Sequence, residues 1–182
     1  MLKQDERIKG HKGFGLVQVF TGDGKGKTTA ALGEVLRAHA IGKKVGIVFF
    51  DKGGLHYSER KALSELGIKF VATGRDRIDS AGRFDFSITD EDIKEGNRGL
   101  EAVREMIKQG FDLIVLDEIN SSADLGILSE KDVLELIKTK PKKLELILTG
   151  RNAPASFLKV AHLVTEMKLK KHYFYSGVPA RE

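Results

Sequence analysis

Short runs of apolar, β-branched residues alternate along the chain with longer stretches whose apolar residues recur every three or four positions. Leu16–Phe20, Val45–Phe50, Lys69–Ala72, Leu113–Leu116, Leu144–Leu148 and Leu163–Met167 predict strands. Their apolar residues are nearly continuous, the pattern of strands buried on both faces of a parallel sheet. Leu32, Val35, Leu36 and His39 fall on one face of a helix that Gly42 ends, with His39 read as a packed core residue. Ile93, Gly96, Leu100, Val103 and Ile107 form the stripe of a second helix, opened by Thr89 with Asp92 and closed by Gly110. Gly96 on that stripe suits close approach of the helix to the sheet. Ser129 with Asp132 opens another helix, limited by Pro141, and Pro154 suits the first turn of a last one. Strand–helix alternation of this kind predicts a three-layer α/β domain with a mainly parallel sheet of about six strands. Thr73–Ile88 shows no period and is longer than an idle loop usually is, so it is read either as a substrate lid or wall or as a mobile surface excursion.

Composition narrows the chemistry. Of 182 residues, 41% are hydrophobic and 31% charged, which predicts a globular chain rather than a disordered one. The longest apolar runs, Ile47–Phe50 and Leu113–Leu116, are far too short for a membrane helix. The opening residues, a polar tail over 1–13, lack the apolar stretch of a signal peptide, so a cytoplasmic protein is expected, with no membrane partner. The absence of cysteine excludes disulfides, thiolate metal sites and Cys nucleophiles. A net charge of +5 suits an anionic ligand. The basic clusters Lys140, Lys142, Lys143 and Lys168, Lys170, Lys171 are short and read as solvated surface rather than a nucleic-acid stripe.

The strongest chemical signal is Thr21-Gly22-Asp23-Gly24-Lys25-Gly26-Lys27-Thr28-Thr29, directly after a strand and opening a helix. Glycines let backbone curl closely around phosphate oxygens, and a helix N-terminus adds free N–H donors and a positive dipole end. Lys27 is expected to meet phosphate charge and the Thr28 hydroxyl a magnesium ion. The first glycine of G-x-x-x-x-G-K-[ST] is replaced by Thr21, with glycines at 22, 24 and 26 instead. A second signal, Asp117-Glu118, ends the strand Leu113–Leu116, at the sheet edge where ligands of open α/β folds bind. Beside a phosphate loop, these carboxylates read as the magnesium-side acids. Thr149-Gly150-Arg151 ends the next strand and is read either as a plain turn or as bringing Arg151 to phosphate or ribose.

Val19–Ala38, Val115–Asn120, Leu148–Pro154 and Val164–Val178, in that order, resemble the ATP:corrinoid adenosyltransferases of cobalamin synthesis and salvage. The resemblance runs from about Gly13 to Ala180, and the alternate-glycine loop is that family's own variant. It implies a RecA-like P-loop domain and a homodimer. The implied reaction moves the 5′-deoxyadenosyl group of ATP onto Co(I) of a corrinoid, with triphosphate leaving. By residue match, Gly22–Thr28 hold the triphosphate, with Thr29 beside them and Thr28 and Glu118 on the side of Mg2+ or Mn2+; Lys27 and Glu118 are the expected catalytic pair. Arg37 matches a family arginine. A reductase delivering Co(I) is a further implied partner. Where the family carries Gly-Phe-Thr-Trp, this chain has Gly74-Arg75-Asp76-Arg77. Phe84 and Phe86 are expected to offer apolar area to the corrin instead, with Arg75, Arg77 and Arg83 at its polar edge. The other readings of the same residues are a phosphoryl-transfer enzyme, releasing ADP, and a module that binds ATP without corrinoid chemistry.

Overall fold

The computed structural model describes residues 5–55, 57–77, 85 and 87–178. Six strands run in the order β3-β2-β4-β5-β1-β6, every neighbouring pair parallel. They are β1 (Val17–Thr21), β2 (Val45–Phe49), β3 (Lys69–Ala72), β4 (Leu113–Asp117), β5 (Glu145–Thr149) and β6 (Leu163–Glu166). The helices are α1 (Lys27–Ala40), α2 (Glu59–Glu65), α3 (Asp90–Lys108), α4 (Ile119–Asp124), α5 (Glu130–Thr139) and α6 (Ala155–Val160).

Strand alternation distributes the core between two faces. Val45, Ile47, Phe49, Leu113, Val115 and Ile147 pack against Ala31, Val35 and Ala38 of α1 and Leu63 of α2. Val48, Ile114, Leu116, Leu146 and Leu148 face Leu100, Val103 and Met106 of α3, with α5 and α6 on the same side. Helices thus cover both faces, the three-layer α/β arrangement expected from the sequence. Strands β2, β4 and β5 are buried throughout. At the edges that expectation fails: every residue of β6 is exposed, with Leu163 at 44% and Val164 at 47%. An apolar run of four reads alike in the centre and at the rim of a sheet.

Helix faces are rotated from the predicted stripes. In α1 the buried positions are Lys27, Ala31, Val35 and Ala38, leaving Leu36 exposed and His39 only half-buried. In α3 they are Asp92, Gly96, Gly99, Leu100, Val103 and Met106, while Ile93 is exposed. A Cβ on Gly96 would meet Ile127 and Leu128 rather than the sheet. Gly99 is the glycine that admits the sheet, since a Cβ there would lie 2.5 Å from the Phe50 ring. The termini follow the sequence signals: Thr89 and Asp92 form a capping box on α3, and the Ser129 hydroxyl accepts from the Asp132 amide on α5. Gly42 and Gly110 take the left-handed turns that end α1 and α3. The polar tail carries a short 3-10 turn, Glu6–Ile8, which Arg7 ties down by donating to the Ala161 carbonyl at 2.8 Å. Among the described residues no helix is long and apolar enough to cross a membrane.

Candidate active site

The C-terminal ends of β1, β2, β4 and β5 converge on one edge of the sheet. From β1 the chain turns through the glycine loop into α1, with Gly26 at φ 119° as the helix cap. Residues after β6 brace this loop: the Gly24 amide donates to the Met167 carbonyl at 2.7 Å. A Cβ on Gly22 or Gly24 would come within 2.5 or 2.7 Å of that carbonyl oxygen, so the spacing of glycines here is a packing demand as well. Lys27 is buried, and its ammonium donates to the Gly22 and Gly24 carbonyls at 2.7 and 2.9 Å. Burial pushes its pKa below the ordinary lysine value, with Glu118 pulling the other way.

A cavity of about 410 Å³ opens over the loop, lined by Asp23, Gly24, Lys25 and Lys27 together with Glu118 and Arg151. Its far wall is Leu169, His172, Phe174 and Tyr175. The aromatic part of that wall comes from the turn Tyr173–Ser176, in a segment whose sequence has no clear period. Arg151 is set by its amide, which donates to the Ser121 hydroxyl at 2.9 Å.

Behind the cavity, Asp117 and Glu118 part ways. Asp117 is fully buried, and both its oxygens are engaged: Thr149 Oγ1 donates to Oδ1 at 2.6 Å and Lys52 Nζ to Oδ2 at 2.5 Å. Glu118 turns into the left-handed region at φ 62° and caps α4, with its amide donating to Thr149 Oγ1 at 3.0 Å. Its carboxylate accepts from Ser121 Oγ at 2.8 Å.

Lys52 is the residue that sequence reading missed. Its ammonium lies 2.5 Å from Asp117, 3.4 Å from Thr28 Oγ1 and 3.9 Å from Glu118. The backbone under it is fixed by Thr73, whose carbonyl accepts its amide at 2.8 Å, and by Arg60, which donates to its carbonyl. Burial pushes Lys52 down, but Asp117 and Glu118 outweigh it and its pKa stands above the ordinary value. The available signal was position: a lysine shortly after a central strand, on the ligand edge of the sheet.

Thr28, Asp117 and Glu118 therefore aim oxygen atoms at one cationic point. A hydroxyl and a carboxylate beside phosphate oxygens are the donors a hard cation such as Mg2+ takes, since it rarely uses an all-protein cage. Two predicted residues stand apart. Thr29 is exposed, and Arg37, three turns along α1, is 79% exposed and pairs with Glu34 at 3.1 Å. Helical rise carries Arg37 about 15 Å from the loop. Within this chain it does not reach the cavity.

Two of the arginines expected at the corrin edge are paired within the chain. Arg77 is 4% exposed and donates to Asp51 at 2.7 Å, to Asp92 at 3.0 Å and to the Ser87 carbonyl at 2.7 Å. Arg75 reaches Asp92 at 3.0 Å and Asp85 at 2.6 Å. These guanidiniums therefore tie the first turn of α3 to Asp51, Asp85 and Ser87. Burial raises the Asp92 carboxyl, but hydrogen bonds from Thr89 and the Arg77 charge outweigh it and hold it low. Phe84, Phe86 and Arg83 lie outside the described residues.

Residues 13–182 match the family described as ATP:corrinoid adenosyltransferase BtuR/CobO/CobP. The chain belongs to the ATP:corrinoid adenosyltransferase family. It is 34% identical to the corrinoid adenosyltransferase of Escherichia coli K12, over 98% of this chain and 85% of that protein. It is 34% identical to the corrinoid adenosyltransferase CobA of Salmonella typhimurium, over 92% and 83%. Among solved structures, domain III of the Thermotoga maritima replication initiation protein DnaA gives a TM-score of 0.40 at 14% identity, over 90% of this chain and 58% of that one.

Proposed function

We propose that this adenosyltransferase binds ATP in the cavity over the glycine loop, as one nucleotide-binding domain, and passes its 5′-deoxyadenosyl group to Co(I) of a corrinoid. Co(I) supplies the electron pair that forms the Co–C bond. The C5′–O bond breaks, and its electrons leave with the triphosphate. The observation that carries this reading is the meeting of Lys27, Glu118 and Arg151 around one cavity, with Thr28 beside them.

The loop amides of Gly22–Thr28 and the Lys27 ammonium hold the triphosphate, with Asp23, Lys25 and Arg151 around its rim. Thr28 and Glu118 would hold Mg2+, or Mn2+ in its place, and that ion would supply positive charge beside the phosphates. Lys27, kept in a dry setting, gains strength against the growing negative charge of the leaving group. Because Co(I) is itself a strong nucleophile, the residues orient the 5′ carbon and exclude water rather than move a proton. Phe84 and Phe86 are proposed to face the corrin. A cytoplasmic homodimer, with a separate reductase delivering Co(I), completes the proposal.

The test is the fate of the phosphates. With ATP, Mg2+ and a chemically reduced corrinoid, phosphorus NMR should show intact triphosphate accumulating in step with corrinoid consumed. ADP and orthophosphate in its place would make the protein a phosphoryl-transfer enzyme.

A further inference from the structure

Asp117 ends the buried strand β4 with no solvent exposure, and a carboxylate there requires a partner for each oxygen. The parallel register aligns Phe49 of β2 with Asp117 of β4, so a side chain just beyond Phe49 can reach back across the gap. Lys52 does so, at 2.5 Å from Oδ2. Thr149, at the end of β5 on the other side, donates to Oδ1 at 2.6 Å. The same Thr149 oxygen accepts the Glu118 amide at 3.0 Å. That bond fixes the residue whose φ of 62° turns the chain out of the sheet and toward the cavity. A continuous path thus runs from the Lys52 ammonium through Asp117 and Thr149 to the backbone of Glu118.

We propose that Lys52 and Asp117 are a closed positioning pair. Lys52 supplies the donor and the counter-charge that the buried Asp117 Oδ2 faces, and Asp117 orients the Thr149 hydroxyl that holds the Glu118 turn. The pair acts on the nucleotide's divalent cation through Glu118. Asp117 is not a ligand of that cation, and Lys52 is not a ligand of the phosphates. The inference rests on the cavity being an ATP site, and does not depend on what the ATP is used for.

Lysine at this place has a second reading, as a direct phosphate contact, and aspartate as a direct metal ligand. Removing both charges together separates the three. In Lys52→Met with Asp117→Asn, the Asn oxygen still accepts from Thr149, so the link to Glu118 survives without its charges. In Thr149→Val the charges survive and the link is cut.

Two quantities are measured by titration on the full chain: ATP affinity in the presence of a chelator, and the Mn2+ concentration that half-saturates the ATP-bound protein, read from the EPR signal of free Mn2+. The double variant should keep both within about threefold of the unmodified protein. Thr149→Val should leave chelated ATP affinity unchanged and raise half-saturating Mn2+ about five- to tenfold, the scale of one lost hydrogen bond. A tenfold or greater rise in half-saturating Mn2+ in the double variant would make Asp117 a metal ligand and overturn the proposal. A tenfold loss of chelated ATP affinity would make Lys52 a phosphate ligand and overturn it equally. Normal Mn2+ affinity in a folded Thr149→Val protein would cut the path to Glu118. Failure of the unmodified protein to bind ATP would instead remove the ATP site itself.

Discussion

Arg77 donates to Asp92 at 3.0 Å, with both side chains buried, at the point where the segment after β3 meets the first turn of α3. Asp92 is at once the capping-box acid of that helix and the acceptor of two guanidiniums. One carboxylate therefore fixes the helix start and the base of the loop together. Arg77 also reaches Asp51, the residue before Lys52, so the clamp extends to the backbone that carries the site.

Arg77→Met should therefore be costly. It leaves half-buried Asp51 without its cation and buried Asp92 with Arg75 alone, and breaking a buried ion pair typically costs about 3–5 kcal/mol. Denaturant unfolding should show a midpoint shift of that size with the slope unchanged. A change below about 1 kcal/mol, the range of a surface ion pair, would mean that the clamp is not buried in solution.

Lys27→Ala should weaken ATP binding about ten- to a hundredfold while the protein stays folded. A charge-assisted contact to phosphate is worth roughly 1.5–3 kcal/mol. The side chain now bonds two carbonyls of its own loop, so those groups become available to water when it is removed. Calorimetric titration with ATP measures the effect, and unchanged affinity would exclude Lys27 from the phosphate site.

Glu118→Gln should shift the magnesium requirement rather than the fold. The amide keeps the shape and still accepts from Ser121, but loses the charge that a hard cation prefers. Half-saturating Mg2+ for ATP binding should rise at least about tenfold, equal to 1.4 kcal/mol. An unaltered requirement would reduce Glu118 to a helix cap.

His162 gives a pH prediction remote from the site. Its Nδ1 accepts the Val17 amide at 2.9 Å, a bond that a protonated ring cannot make. Burial holds its pKa below the ordinary value, with the Arg7 charge adding to the effect. Between the folded and unfolded pKa values the unfolded chain binds more protons, so stability rises with pH. The contribution is fully present above about pH 6.5 and is lost as pH falls through the depressed folded value. His162→Asn, which retains an acceptor, should show a smaller fall in melting temperature between pH 8 and pH 5. An identical fall in both proteins would assign the acid sensitivity to other groups.

The fold was legible where one physical cause dominates. Continuous apolar runs mark β2, β4 and β5 because both of their faces must leave water. The glycine loop was legible because its backbone demands are local. Helices α2 and α4, seven and six residues long, were not, since neither completes two turns of a periodic stripe. Lys52 drew no reading at all, and Arg75 and Arg77 were expected at a corrin edge, because their partners Asp117, Asp92 and Asp51 lie far away in sequence or on another strand. Only strand order brings them together: β2 beside β4 gives Lys52 its acid, and α3 starting beneath the loop gives Arg75 and Arg77 theirs.

Formation of the cobalt–carbon bond is the most direct measurement. The protein is mixed anaerobically with Mg2+, reduced corrinoid and ATP labelled with carbon-13 at the 5′ position, and the product is followed by its visible spectrum and carbon NMR. The expected result is an alkylcorrinoid spectrum with the labelled carbon bonded to cobalt, formed at a rate that Lys27→Ala nearly abolishes. Bound ATP, with the label still attached to phosphate oxygen and the cobalt unalkylated, would contradict adenosyl transfer by this chain.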